Sequence, residues 1–198
     1  MGHVEPDQQR KWDERHRATT GMPAAAPVLA DHLHLLPRHG RALDLACGLG
    51  ANALLLARCG LEVSAWDFSP VAIERLRTAA AGAGLSVCTE VRDVLAAPPA
   101  PESFHVIVVS RFLERALVPA LCAALRPDGL LFYQTFIRDK VAEVGPSNPD
   151  YLLAENELLH LFVPPLALRV YREEGRVGDT SRGFRNEAML VAQKKERP

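Results

Sequence analysis

The stretch from residue 42 to residue 57 constrains the fold of this chain most. It reads Ala-Leu-Asp-Leu-Ala-Cys-Gly-Leu-Gly-Ala-Asn-Ala-Leu-Leu-Leu-Ala, which predicts a short apolar strand, a glycine-rich turn and a helix in immediate succession. Gly48 and Gly50 let the backbone turn sharply and approach a ligand where a Cβ would clash. An acidic residue, Asp67, closes the next strand-like run about 20 residues later, the interval expected for a carboxylate that binds a ribose. The stretch therefore predicts a nucleotide-type cofactor site.

Two cofactors compete for this site. Gly48, Gly50 and Ala53 formally satisfy the Gly-x-Gly-x-x-Gly/Ala pattern of dinucleotide-binding proteins, although this pattern alone is weak. Asp44 favours a different ligand, because a carboxylate in an apolar strand is costly to bury unless it binds something. Next to an anionic pyrophosphate it would be unfavourable, whereas next to an ammonium and a sulfonium it is favourable. This asymmetry favours S-adenosylmethionine.

Several segments, in order, resemble the motifs of class I S-adenosylmethionine-dependent methyltransferases. Residues 43–50 resemble the first motif, with Ala46 where many members have their first glycine. Trp66-Asp67 resembles the second motif, and Val91-Arg92-Asp93 the third. Residues 125–131, Leu-Arg-Pro-Asp-Gly-Leu-Leu, resemble the late segment that precedes strand five, with an aspartate for the usual first glycine. The opening Trp-Asp-Glu-Arg-His at residues 12–16 is similar to the N-terminal Trp-Asp-Glu-Arg-Tyr of the tellurite-resistance-like branch of small methyltransferases.

The resemblance implies an α/β fold: a Rossmann-like, doubly wound, mostly parallel seven-stranded sheet with a C-terminal antiparallel strand pair. The alternation of apolar runs and amphipathic segments is consistent with this fold. It predicts strands at 42–46, 61–67, 86–91, 104–110, 130–136, 167–173 and 187–193. It also predicts two helices: one begins at Ser69 and Pro70 and places Ile73, Leu76, Ala80 and Ala83 on one face, and the next places Leu113, Leu117, Leu121 and Leu125 on one face. We expect one domain over residues 1–198, with residues 1–40 as an N-terminal helical lid segment and residues 41–198 as the α/β core.

Ligands of doubly wound sheets bind at the carboxyl ends of the strands, and the candidate cofactor-binding residues fall there or in the lid segment. Asp44 would meet the methionine half of the cofactor, Asp67 the ribose hydroxyls, and Asp93 the adenine amino group, as its matched position does in the family. The alternative roles are a cap on the next helix for Asp67, which Ser69 already provides, a turn for Asp93, and packing of the N-terminal helix for Trp12. The full predicted set is Trp12, Asp44, Ala46, Cys47, Gly48, Gly50, Asn52, Asp67, Phe68, Asp93, Val94, Ser110 and Arg111, in which Phe68 and Val94 would sandwich the adenine ring.

The expected activity is methyl transfer to a small molecule by in-line displacement, in which positioning matters more than a general base. No catalytic residue is singled out, but candidates at the mouth of the site are Arg111, Glu114, Tyr151, His160, Arg182 and Arg185. Arginines suit an anionic acceptor, although loop arginines are usually solvated. Two alternatives remain: a nicotinamide-dependent oxidoreductase, for which no Tyr-x-x-x-Lys is present, and a non-catalytic S-adenosylmethionine-binding protein.

Composition limits the partners that we expect. The formal net charge of −1 provides no global electrostatic argument for binding nucleic acid or an anionic membrane. Neither the cysteine nor the histidine spacing matches a metal-site pattern, so no metal is expected. The chain has no apolar run of about 18 residues and its N-terminus is polar, so we expect no membrane anchor and a cytoplasmic location. The acceptor and the oligomeric state have no signal in the sequence.

Overall fold

A computed structural model describes residues 6–195 of the chain. It contains a seven-stranded sheet of order β3-β2-β1-β4-β5-β7-β6. Strands β1 to β5 are parallel, whereas β7 runs antiparallel to both β5 and β6, which confirms the predicted fold class. The strands are β1 Arg41–Leu45, β2 Glu62–Asp67, β3 Val87–Val91, β4 Phe104–Ser110, β5 Leu125–Phe136, β6 Ala167–Arg172 and β7 Glu187–Gln193.

Helices cover both faces of the sheet, as expected for a doubly wound fold. The α-helices are α1 Pro6–Ala18, α2 Pro27–Ala30, α3 Ala51–Arg58, α4 Pro70–Gly82, α5 Val118–Ala124 and α6 Glu157–Phe162. Three 3-10 turns span Leu33–Leu35, Arg115–Leu117 and Pro149–Tyr151. Within residues 6–195, none of the helices is both long and apolar enough to cross a bilayer.

The central strand β4 shows why the sequence forms this sheet. Its apolar run is buried on both faces, as parallel strands covered by helices require. Ile107 and Val109 pack into one hydrophobic cluster, while Val106 and Val108 pack into the cluster on the opposite face. The two clusters are therefore built by the alternation of side chains along each strand.

Helix α4 follows β2 and has the predicted start. Ser69 is its N-cap, because Ser69 Oγ accepts the backbone N–H of Ala72 at 3.2 Å, and Pro70 occupies the first turn. Ile73, Leu76 and Ala80 face the core as predicted, but Ala83 lies beyond the helix and is exposed. The helix thus ends before the apolar period does.

The segment before β5 differs from the predicted leucine-rich helix over residues 113–125. The structure forms a 3-10 turn at Arg115–Leu117 and a short α5, which has Pro119 in its first turn. Leu125 already belongs to β5, where it pairs with Phe104 of β4. Pairing in the sheet therefore overrides the helical spacing of the leucines, since local propensity is weak against tertiary contacts.

Candidate cofactor and acceptor site

One edge of the sheet gathers polar residues from strands far apart in the sequence. It is formed by the carboxyl ends of the parallel strands together with the start of β7, since Glu187 pairs with Phe136 at the end of β5. We call this the carboxyl edge. Asp44 and Asp67 lie near the ends of β1 and β2, and Ser110 ends β4 beside Gln134 of β5. The buried polar residues Asp44, Asn52, Asp67, Ser69, Gln134, Thr135 and Glu187 all occur in this region.

The turn between β1 and α3 has the backbone shape that its glycines predict. Ala46, Gly48 and Gly50 all have positive φ, at 54°, 52° and 80°. At Gly50, a Cβ would overlap with the side chain of Leu76. Both the lack of space and the positive φ therefore disfavour any residue other than glycine at this position. At Gly48, a Cβ would make only ordinary contact. The turn thus brings bare backbone to the carboxyl edge.

Asp44 is a buried carboxylate with one oxygen that lacks a hydrogen-bond partner among the described residues. The residue is 0% exposed, and its Oδ2 accepts the backbone N–H of Ala53 at 3.0 Å. Its Oδ1 is buried and has no hydrogen-bond partner among the described residues. Burial raises the pKa of Asp44 to about 8; the Ala53 N–H and the Asn52 amide lower this pKa, and the charge of Asp67 raises it further. A cationic ligand group at Oδ1 would satisfy this carboxylate.

Asp67 is buried as well, but each of its oxygens accepts one backbone N–H group. Its Oδ2 accepts the N–H of Gly48 at 2.8 Å and its Oδ1 accepts the N–H of Ser69 at 2.9 Å. Burial raises its pKa, while these two N–H groups and the charge of His16 lower it. Asp67 therefore joins the glycine turn to the start of α4, and each oxygen keeps acceptor capacity for a ligand.

Helix α1 is held over this edge by α4. The Arg75 guanidinium donates to three carbonyl oxygens at the C-terminal end of α1 and beyond: those of His16, Thr19 at 2.7 Å and Gly21 at 3.1 Å. Nearer the start of α1, Gln9 Nε2 donates to the carbonyl of Phe68 at 3.2 Å, and Asp13 accepts from the Ser69 hydroxyl. These bonds span 54 to 59 positions of sequence.

The docked helix places an imidazole on the glycine turn. His16 Cε1 lies 3.5 Å from the position that a Cβ at Gly48 would take. The His16 ring stacks on Trp12, with 5.7 Å between the ring centroids. Burial lowers the pKa of His16, and the charge of Asp67 raises it. His16 is therefore the side chain of α1 nearest this turn, while Trp12 supports it from behind.

The β3 side of the edge offers an apolar surface. Val94 is buried, Phe68 is half-buried, and Val91 and Leu95 are exposed. Asp93 Oδ1 accepts the backbone N–H groups of Leu95 at 2.9 Å and Ala96 at 3.3 Å. Asp93 therefore stabilises a turn, which is one of the two roles predicted for it; the other is adenine binding.

A second polar network occupies the β4–β5–β7 side. Asn52 Nδ2 donates to Ser110 Oγ at 2.9 Å, and Arg111 Nε donates to Glu187 Oε1 at 3.0 Å. Glu187 Oε2 accepts from the side-chain amide of Gln134. Of the two predicted residues, Ser110 is thus bonded to Asn52 and Arg111 to Glu187, a carboxylate that was not among the predicted site residues.

The other acceptor-site candidates make no hydrogen bond to Glu187 or Gln134 in the part of the chain that the structure describes. Glu114 Oε1 accepts the N–H of Ala116 and caps a 3-10 turn, and Tyr151 is 46% exposed. His160 is exposed on α6, and Arg182 is exposed in the β6–β7 loop. Arg185 donates to carbonyl oxygens of its own loop, those of Glu174, Gly175, Asp179 and Arg182. Arg111 is the candidate in direct contact with the buried network.

Sequence reasoning missed His16, Arg75, Gln134 and Glu187. For Glu187 a signal was present, because it is a carboxylate that opens an apolar strand, as Asp44 is a carboxylate inside one. For the others no local signal exists, since their partners are distant in sequence. Among residues 6–195, no three or more His, Cys, Asp or Glu side chains are grouped as metal ligands would be.

Part of the chain is similar in sequence to known methyltransferases. Residues 42–129 match the family model of a methyltransferase domain. Over 141 residues the chain is 33% identical to the ubiquinone biosynthesis O-methyltransferase of Xylella fastidiosa strain 9a5c, a match that covers 66% of this chain and 56% of that protein. The chain thus spans little more than half the length of this curated relative.

Solved structures extend the likeness to almost the whole chain. A structure from work on the conversion of a disulfide bond into a thioacetal group during echinomycin biosynthesis matches with a TM-score of 0.71 at 25% identity, covering 94% of this chain and 92% of that chain. TehB from Haemophilus influenzae matches in fold with a TM-score of 0.68 at 22% identity, covering 94% and 67%. Residues 42–129 therefore match a methyltransferase domain, and almost the whole chain shares its fold with these solved structures, in agreement with the motifs that resemble class I S-adenosylmethionine-dependent methyltransferases.

Proposed function

We propose that this chain binds S-adenosylmethionine at the carboxyl edge and transfers its methyl group to a small molecule. The observation that carries the proposal is the buried Asp44 Oδ1, which has no partner within residues 6–195. A buried acceptor without a partner costs about 1–3 kcal/mol, which a cationic ligand offsets. S-adenosylmethionine brings both an ammonium and a sulfonium, whereas a nicotinamide dinucleotide brings an anionic pyrophosphate.

The other proposed binding residues each contact a different part of the cofactor. Asp67 accepts from the ribose hydroxyls in addition to its two backbone N–H groups. The backbone of residues 46–50 follows the methionine portion, with Ala46, Cys47, Gly48 and Gly50 in the turn and Asn52 beside Asp44. Phe68 and Val94 enclose the adenine, and Asp93 reaches its amino group from the turn that it stabilises.

The chemistry that the bound cofactor supplies is a methyl group activated on a sulfonium. The chain positions the acceptor and excludes water around it. Ser110 and Arg111 line the acceptor side, since they end the strand next to β1. The cited O-methyltransferase relative supports a hydroxyl acceptor. Glu114, Tyr151, His160, Arg182 and Arg185 remain candidates for acceptor contacts.

Residues 1–40 act as a lid in this proposal and residues 41–198 as the core of a single domain. The lid role is supported by Arg75, which fastens the end of α1, and by His16, which lies over Gly48. Because His16 occupies space next to the glycine turn, α1 shifts when the cofactor enters. We further propose that the acceptor is not a nucleic acid, which the net charge of −1 supports, and that the protein works in the cytoplasm.

The first test is thermal unfolding of the purified protein with S-adenosylmethionine, S-adenosylhomocysteine, NAD or NADP. A ligand at 100 times its Kd adds about 2.7 kcal/mol, a shift of roughly 5–10 °C for a domain of this size. We expect a shift with the first two ligands. A shift with a nicotinamide alone would disprove the proposal.

Turnover then separates an enzyme from a binding protein. We would incubate the protein with S-adenosylmethionine and hydroxylated aromatic acceptors and measure S-adenosylhomocysteine. Cofactor binding without product from any acceptor class would favour the non-catalytic alternative. Matched reactions with Asp67→Ala provide the background, because this change removes the ribose acceptor.

A further inference from the structure

The end of β4 holds an arginine in an unusual backbone conformation. Arg111 has φ of +54°, a left-handed conformation that costs a non-glycine residue of this kind about 1 kcal/mol or more. Its backbone N–H donates to the carbonyl of Gln134 at 2.7 Å, so β5 holds the residue in place. The conformation turns the chain away from the sheet directly after Ser110, at the acceptor side of the proposed site.

The carboxylate that faces this arginine is buried. Glu187 has a side chain only 10% exposed, and both of its oxygens accept hydrogen bonds, from Arg111 Nε at 3.0 Å and from the Gln134 amide. Gln134 is 1% exposed, and its Oε1 accepts the N–H of Val28 at 2.8 Å. Glu187 is thus held on one side by a neutral buried amide and on the other by the Arg111 charge.

The Arg111 guanidinium is only partly used by this contact. Its side chain is 55% exposed, and Nε is the guanidinium atom that bonds Glu187. Nη1 and Nη2 make no hydrogen bond to any residue between 6 and 195, so their N–H donors remain available to a ligand. A guanidinium with its donors in a fixed plane matches an oxyanion in two parallel hydrogen bonds.

We propose that Arg111 is the acceptor-recognition residue of this domain, that it selects a small acceptor bearing an oxyanion, and that Glu187 is its positioning residue. The inference rests on the proposed function, because it assigns the acceptor side of that site. Since Glu187 neutralises the charge of Arg111, the affinity of this subsite for an oxyanion comes from hydrogen-bond geometry more than from net charge. A carboxylate and a phosphoryl group share this chemistry, and the experiment distinguishes them.

The test follows the Arg111 Nε–H resonance by NMR, assigned through its loss in Arg111→Lys. The full chain is titrated with benzoate, benzamide or inorganic phosphate, with and without saturating S-adenosylhomocysteine. We expect benzoate or phosphate to shift the resonance and benzamide to leave it unchanged; a shift with only one of the two identifies the anion class. In Arg111→Lys, where isothermal titration calorimetry replaces the lost resonance as the readout, the Kd of the effective anion should rise at least about fivefold, since an ammonium cannot form the paired contact.

Glu187→Gln tests the positioning role. This variant keeps an acceptor oxygen for Arg111 but removes the charge, so we expect the Nε–H to exchange faster with water and anion binding to weaken about threefold, because ordering the side chain then opposes binding. If the anion instead binds more tightly, Glu187 is only a counter-ion and its positioning role is wrong. Glu74→Gln is the matched control, because Glu74 pairs with Arg77 on the exposed face of α4.

The remaining outcomes are equally decisive. If neither anion shifts the resonance, the oxyanion subsite does not exist. If S-adenosylhomocysteine alone shifts it and the anions add nothing, Arg111 binds the cofactor carboxylate and the acceptor assignment is wrong. If S-adenosylhomocysteine does not bind at all, the proposed function fails. The titrations without it then still decide whether Arg111 holds an oxyanion.

Discussion

Asp44 Oδ2 accepts the backbone N–H of Ala53 at 3.0 Å, while the other oxygen of the same carboxyl group is buried with no partner among the described residues. One oxygen therefore fastens the start of α3 to β1, and the other is left for a ligand. The same side chain serves the fold and carries the electrostatic cost of the site. This cost leads to measurable consequences.

The first prediction concerns pH and stability. The pKa of Asp44, about 8 in the folded protein, lies above the ordinary value near 4, so folding takes up a proton between these pH values. The contribution of this group to the free energy of unfolding is therefore intact below about pH 4 and is lost as the pH rises towards 8. Asp44→Asn removes the titration and should be more stable than the wild type at pH 9, by an amount on the order of a few kcal/mol.

Urea unfolding of both proteins between pH 5 and pH 9 measures this difference. The advantage of Asp44→Asn should shrink towards pH 5, where the wild-type carboxyl group is already protonated. Parallel curves over the whole range would show that Asp44 titrates normally. The stabilised variant should also bind S-adenosylmethionine more weakly, because a neutral amide does not attract its ammonium.

The second prediction concerns Asp67. Replacing it with asparagine leaves one acceptor oxygen for the N–H groups of Gly48 and Ser69, and turns an NH₂ group towards the other. We expect the Kd of S-adenosylmethionine to rise about 100-fold, since charge-assisted bonds to the ribose are lost. Isothermal titration calorimetry measures this Kd. Asp7→Asn, on the exposed side of α1, should bind as the wild type does; normal binding by a folded Asp67→Asn would remove Asp67 from the site.

The third prediction concerns the fastening of α1. Arg75→Ala removes the donor to the carbonyls of His16, Thr19 and Gly21. We expect backbone amides of α1 to exchange at least about tenfold faster, since lost hydrogen bonds of this kind contribute about 1 kcal/mol each. Hydrogen-exchange mass spectrometry reports this rate, and stopped-flow kinetics should show faster cofactor release.

Arg77→Ala is the control for the lid, because Arg77 lies on the same helix but donates to Thr89 of β3. In the Arg77→Ala variant, the backbone amides of α1 should exchange at the wild-type rate. Equal exchange in the two variants would mean that other contacts, such as that of Asp13 with Ser69, hold the helix.

The fourth prediction concerns Gly50. Gly50→Ala forces an L-residue into φ of +80° and drives its Cβ into Leu76. We expect a loss of about 2–4 kcal/mol in unfolding free energy from backbone strain together with overpacking. Gly84→Ala is the comparison, because that glycine also has positive φ but open space around it. A similar loss in both variants would assign the whole effect to the backbone.

The strands illustrate what can be predicted from local pattern. The predicted bounds of β4 and β7 agree with the structure, because continuous apolar runs bounded by polar residues carry their own signal. The N-cap of α4 was predicted for a similar reason, since Ser69 and Pro70 act on adjacent backbone. The helix before β5 was predicted too long, because the spacing of its leucines does not report the pairing of Leu125 with Phe104.

The same distinction between local and long-range relationships holds for the residues of the candidate site. Asp44, the glycine turn and Asp67 were identified in the sequence because their roles depend on residues within one strand–turn–helix unit and the strand that follows. Glu187 and Arg111 meet across 76 positions, and Arg75 reaches Gly21 across 54. The sequence alone determined the strand–turn–helix unit to which we assign the cofactor, because backbone conformation and the cost of a buried carboxylate are local properties. Only the tertiary structure decided which charges neutralise one another and what covers the turn, because the strand order of the sheet brings those side chains together.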